Sequence, residues 1–203
     1  MEIKEILYSS IDKHSRYVVS DIAQGKSSEV IETIYEECKD QLDKLDNNKS
    51  EILGTFAEGF THYLLTTALI PSQRKITFND VYVDILIPDI KILGTSPQDA
   101  LIVSFPKTND IHIIKNKLSE IAKIQPIKEN IWFVLENEIN VGIRTYAINN
   151  CGDFPFSNII NDIIGFLTNK KQSRLKLFRI LVTLCLLFFL QSQSLYQSCH
   201  NLL

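Results

Sequence analysis

The sequence predicts an α/β (α+β) fold with a helical N-terminal third, a central mixed sheet of four to five strands flanked by helices, and an apolar C-terminal helix. Three observations carry this expectation. Up to Pro71, apolar residues recur at three- and four-residue spacing, whereas beyond it they gather into short β-branched runs closed by Pro88 and Pro106. Between the runs at 100–105 and 130–135 lies an amphipathic stretch of helical length. Strand, helix and strand in succession make a crossover unit, which places helices against a sheet containing parallel neighbours.

Taken in order, Ile3, Ile6, Leu7 and Ile11 mark a first helix. Val30, Ile31, Ile34, Cys38, Leu42 and Leu45 mark a second, with Ser28 as its predicted N-cap and Glu29 and Glu32 near the positive end of its dipole. Asp46-Asn47-Asn48-Lys49 reads as a loop, and a third helix begins near Ser50 and runs toward Ile70 until Pro71 stops it. Lys75–Phe78 is a short strand. Val81–Ile87 is apolar on both faces apart from Asp84, as a central strand should be. Ala100–Phe105 is the next strand, Asp110 caps a helix carrying Ile111, Ile114, Leu118 and Ile121, and strands follow at 130–135 and 141–148. A closing helix over 156–167 buries Ile159, Ile160, Ile163 and Ile164.

Composition divides the 203 residues at a sharp boundary. Residues 1–171 hold 28 Ile and 13 Leu, and residues 172–203 hold 1 Ile and 10 Leu. Residues 1–162 carry 16 basic and 24 acidic side chains, a charge of −8, while 163–203 carry 5 basic residues and no acid. The chain therefore reads as one α/β domain over 1–171 (1–70 mainly helical, 75–150 the sheet core, 156–168 the closing helix) followed by a Leu-rich tail over 172–203. Two origins fit the tail. One is a membrane-associated helix through 180–199, flanked by basic residues; the other is a change of reading frame near Lys171. The unbroken apolar run, 180–190, covers only about 16 Å as a helix, against the roughly 20 residues that a 30 Å hydrocarbon layer needs. Met1-Glu2-Ile3-Lys4-Glu5 is charged and amphipathic rather than a secretory signal, so the expected compartment is the cytoplasm, with membrane association through the tail as the variant.

One constellation carries chemistry. Pro88-Asp89 is followed after fifteen residues by Phe105-Pro106-Lys107, at the ends of two successive predicted strands, and Glu58 lies on the preceding helix. Together with the order of elements over about residues 50–150, this resembles a degenerate PD-(D/E)xK nuclease, the restriction-endonuclease-like fold. The resemblance implies a metal-dependent nuclease site: Asp84 or Asp89 as the strand acid, Lys107 orienting or deprotonating the attacking water, and Asp84, Asp89 and Glu58 holding Mg²⁺. The chain departs from the pattern at Phe105, which stands where the second carboxylate belongs and faces the same side of an extended strand as Lys107. That departure implies a pseudo-enzyme. Residue by residue, simpler roles also fit: Asp89 capping a turn, Glu58 and His62 an exposed i,i+4 pair, and Asp84 a buried acid requiring a partner, Lys107 or Arg74.

Other chemistry finds little support. His14, His62, His112 and His200 lack metal-ligand spacing, and Cys38, Cys151, Cys185 and Cys199 form no CxxC pair. No Gly-rich phosphate loop occurs. Two functions follow: a nuclease-fold protein that processes or binds nucleic acid, with its cleavage chemistry degenerate, or a noncatalytic cytoplasmic domain whose acidic helical third binds a protein partner and whose tail tethers it to a membrane. The charge of −8 disfavours nucleic acid unless the basic residues cluster around Lys107.

Overall fold

Helix α1 (Ile3–Ala23) turns the early Ile/Leu spacing into a buried stripe that continues through Val18 and Ile22. Its first turn is closed by the Glu5 carboxylate, which accepts from the Glu2 N–H at 2.9 Å. Helix α2 (Ser27–Leu42) starts earlier than Ser28, with Lys26 at the cap position. The serines are otherwise engaged: Ser27 Oγ donates to Asn161 Oδ1 at 2.8 Å and Ser28 Oγ to Asn158 Oδ1 at 3.0 Å, so they tie α2 to the 156–163 segment. Helix α3 (Lys49–Thr67) is capped by Asn48, whose side chain accepts from the Ser50 N–H. The computed structural model describes residues 2–45, 48–149 and 152–169.

Strands β1 (Gln73–Phe78) and β2 (Val81–Ile87) form an antiparallel hairpin. Asn79 and Asp80, at φ 47° and 62°, are the two residue types that tolerate the left-handed backbone such a tight turn demands. A short helix, α4 (Ile90–Thr95), follows where the sequence pattern was too brief to show one. Then come β3 (Leu101–Ser104), α5 (Ile111–Ala122), β4 (Ile131–Leu135) and β5 (Arg144–Ala147). Asp110 caps α5, accepting from the His112 N–H at 2.8 Å. The last strand is shorter than its apolar run because Gly142, at φ 80°, turns the chain, with its N–H donated to Asn140 Oδ1. Helix α6 runs through 159–169; Ile159, Ile160 and Ile163 are buried, but Ile164 is exposed, contrary to the predicted stripe.

The five strands lie in sequence order. β2 is antiparallel to both β1 and β3, whereas β3, β4 and β5 are parallel, joined by the predicted crossover through α5. An apolar cluster joins Val83, Leu86, Ile102, Ile131 and Phe133 of the strands to Leu93 of α4 and Ile114 and Ile121 of α5. α3 packs against β2 and β4 and also contacts α1. By backbone contacts the chain divides into two compact units, residues 1–163 and 164–203. The apolar run at 180–190, and with it both readings of the tail, lies outside the described residues. Among the described residues no helix is long and apolar enough to cross a membrane.

Candidate functional site

Asp84 occupies the middle of β2 and is buried. Its Oδ2 accepts from Ser104 Oγ at 2.5 Å and from the Phe105 N–H at 3.0 Å. Neither predicted partner, Lys107 or Arg74, forms this contact. The antiparallel pairing of β2 with β3 explains the substitution: with Ile85 opposite Val103, the strand brings Asp84 to the Ser104–Phe105 segment, and two neutral donors satisfy the oxygen that burial had removed from water.

Glu58 on α3 is more deeply buried, at 1% exposure, and gathers the cations instead. Arg74 Nε and Nη2 donate to Oε1 at 2.9 and 2.7 Å, Lys75 Nζ lies 3.9 Å from the same oxygen, and Lys107 Nζ is 3.1 Å from Oε2. Burial pushes the Glu58 carboxyl up, but the hydrogen bonds and charges of Arg74 and Lys107 outweigh it and hold the group below the ordinary carboxylate range. The expected exposed i,i+4 pair with His62 is therefore corrected: Glu58 is the buried centre of a partly exposed ion cluster assembled from three parts of the chain. His62 is partly buried, and its Nδ1 is enclosed without a hydrogen-bond partner. Burial, together with the Arg74 charge, holds this imidazole below its usual range, against a smaller opposing pull from Glu58.

A glycine permits the cluster. A Cβ on Gly54 of α3 would stand 3.1 Å from Lys107 Cγ and 3.6 Å from Lys107 Cα, so a side chain there would press on the Lys107 stem and displace it by a few tenths of an ångström. Lys107 thus reaches Glu58 across the surface that Gly54 leaves open. Asp89 is placed elsewhere: it caps α4, its Oδ1 accepting from the Ile92 N–H at 2.9 Å. Phe105, 2% exposed, is buried beside the Asp84 carboxylate through its own N–H.

The structure therefore brings Glu58 directly to Lys107, and brings Asp84 to a backbone position two residues from Lys107. Asp89 makes a capping contact of its own. Sequence reasoning missed Arg74 and Lys75 as partners of Glu58. The available signal was two adjacent cations on a short strand immediately after the helix that carries a buried acid. The carboxylates do not fit a bound Mg²⁺: both oxygens of Glu58 are committed to cations, Asp84 Oδ2 accepts two donors, and among the described residues no three His, Cys, Asp or Glu side chains converge as ligands. Three cations against the two acids Glu58 and Asp84 leave the region net positive, which suits an anion.

No protein-family model and no curated protein matches the chain. Among solved structures, it is similar to a restriction endonuclease, PspGI, in complex with substrate DNA, with a TM-score of 0.55 and 14% identity over 83% of this chain and 94% of that one. The shared architecture is the restriction-endonuclease-like fold.

Proposed function

We propose that this protein binds nucleic acid on a restriction-endonuclease-like scaffold whose metal-dependent cleavage chemistry is degenerate, leaving phosphate contact as its surviving activity. The observation that carries the proposal is that Phe105, which the motif resemblance aligns with a second metal-holding carboxylate, is a buried aromatic ring. Without that ligand Lys107 has no metal-bound water to orient, and its ammonium is paired with Glu58. The Arg74, Lys75 and Lys107 charges are then best used toward a phosphodiester, which Arg74 approaches as a fixed fork because Glu58 holds two of its nitrogens. The solved neighbour is a DNA complex, which is consistent with this substrate class.

In a body carrying −8 the long-range field repels a polyanion, so binding rests on a few short-range phosphate contacts, each of which adds about −0.7 to −0.9 to the slope of log K against log salt. The test is to incubate the full chain with single-stranded, duplex and branched DNA at low salt, with Mg²⁺ or Mn²⁺. The expected outcome is retention of DNA without cleavage, weakened by Lys107→Met with the circular dichroism spectrum unchanged. Cleavage that Lys107→Met abolishes would show an intact nuclease, and absence of all binding at low salt would remove nucleic acid as the partner.

A further inference from the structure

Beside the Glu58 cluster, and separate from Lys107, a cleft of about 430 Å³ opens between the first turns of α1, the middle of α3 and β1. Its polar lining is Lys4, Tyr8, Thr55, His62, Arg74 and Lys75. We propose that this cleft continues the phosphate-binding surface, sharing Arg74 and Lys75 with the Glu58 cluster, as a site sized for one nucleotide, taking either a phosphate within a nucleic-acid strand or the phosphate of a free nucleotide. The proposal deepens the nucleic-acid reading, on which its strand-bound form rests.

Charge is the first argument. In residues 1–162 acids outnumber bases 24 to 16, yet three cations line this cleft and no carboxylate does. Glu58 spends Oε1 on the Nε and Nη2 of Arg74, which fixes the guanidinium and leaves its remaining N–H donors for a ligand. Lys75 is only loosely drawn to that oxygen, with 56% of its side chain exposed, so its ammonium is free to close on an anion. The second argument is shape and chemistry. The volume falls in the range of small-ligand sites, about 300–1,000 Å³. Tyr8, 46% exposed, presents a ring at the mouth with Lys4 Nζ 5.9 Å from its centroid. A cation beside an exposed aromatic is the pairing that holds a phosphate and stacks its base. Thr55 adds a hydroxyl, and His62, which lines the same cleft, carries the enclosed and unpartnered Nδ1.

The test titrates the full chain with inorganic phosphate, with deoxyadenosine monophosphate and with a single-stranded DNA 12-mer, following the His62 imidazole resonance by NMR and binding by calorimetry. Lys4→Glu is the diagnostic variant, because Lys4 is exposed and an acid in the first turn of α1 is favourable for the helix; Lys128→Glu, which lines a different cleft, is the control. The expected result is a His62 shift with all three ligands, binding of the nucleotide and 12-mer weakened about tenfold by Lys4→Glu and unchanged by Lys128→Glu. The salt slope for the 12-mer should fall by about 0.7, the value of one lost phosphate contact on a single strand. DNA binding that leaves His62 unmoved and ignores Lys4→Glu would overturn the cleft while the nucleic-acid reading stands. A His62 shift with phosphate and nucleotide but no binding of the 12-mer would support the cleft as a free-nucleotide site and remove that reading. No response to any ligand would overturn both.

Discussion

Glu58 and Asp84 are both buried acids, one on α3 and one on β2, and the protein holds them by opposite means. Asp84 is satisfied locally in the sheet, by a hydroxyl and a backbone N–H from the adjoining strand. Glu58 is satisfied by charge drawn from β1 and from beyond β3. A neutral-donor site of the first kind maintains a strand pairing. A charged cluster of the second kind keeps excess positive charge at a partly exposed position, where Arg74 and Lys107 retain 30% and 36% of their side-chain exposure. The difference separates an acid satisfied within the sheet from one that gathers charge from distant parts of the chain.

The sharpest way to break the comparison is to neutralise each acid at constant shape. Glu58→Gln strands Arg74 and Lys107 around an amide and should cost about 2–4 kcal/mol in urea unfolding, below the upper end for a fully buried pair because both cations reach solvent. Its signature is in the pH profile. The folded carboxyl lies below its ordinary 4.5, so the stability it contributes is complete above 4.5 and is lost as pH falls through the folded value. His62, held below 6.5, contributes with the same sign, and its decline begins earlier on acidification. Glu58→Gln should reduce the limb below 4.5, to which Glu37, held low by His14 and Ser10, also contributes, and retain the decline that begins near 6.5. An unchanged acid limb would mean that Glu58 is not the group that titrates there.

The space that Gly54 leaves is the next largest lever. Gly54→Leu places a side chain where Lys107 Cγ now lies, and should cost about 1–3 kcal/mol through overpacking while separating Lys107 from Glu58. The two effects are distinguished by combining it with Glu58→Gln. If the lysine contact is part of what Gly54→Leu removes, the double variant loses less than the sum of the singles. Asp84→Asn retains an acceptor for Ser104 Oγ and the Phe105 N–H and loses only the charge-assisted part of each bond, for about 1–2 kcal/mol. Should Asp84→Asn prove more costly than Glu58→Gln, the ranking of the two acids, and the assignment of the organising role to Glu58, would be reversed.

How much of this was legible in the sequence follows the same division. Val81–Ile87 stood out as a strand because its β-branched run is continuous, and its boundaries are those observed. Asp84 stood out because a lone acid in that run must be buried. Asp110 showed itself as a cap because the apolar repeat begins directly after it. These are local signals, carried by neighbours within a few residues. The partners of Asp84 were not legible: two strands of matching hydrophobicity do not state their register, and a slip of two residues would exchange Phe105 for Lys107. Helix α4 was missed because six residues hold too few turns to show a period. Glu58 was misread for a related reason. Its partners lie 16, 17 and 49 residues along the chain, and its neighbour at i+4, His62, supplied a sufficient but incorrect explanation.

Lys75 offers the smallest and most discriminating test. It lies in β1 between Arg74, paired with Ile85, and Ile76, paired with Val83, at φ 53°, a conformation that a non-glycine residue adopts at a cost of about 1 kcal/mol. Its ammonium is 3.9 Å from Glu58 Oε1 and more than half exposed, which limits the ion pair to a few tenths of a kcal/mol. Lys75→Gly relieves the backbone and removes the charge, whereas Lys75→Ala removes the charge alone. If backbone strain is the larger of the two, Lys75→Gly should be more stable than Lys75→Ala by about 0.5–1 kcal/mol, while both lose affinity for DNA by the same factor. The left-handed backbone at Lys75 then sets the direction of a cation at the expense of stability, which is how a position selected for a ligand differs from one selected for the fold. A glycine variant no more stable than the alanine variant would place Lys75 with Asp84, among the residues that maintain the sheet.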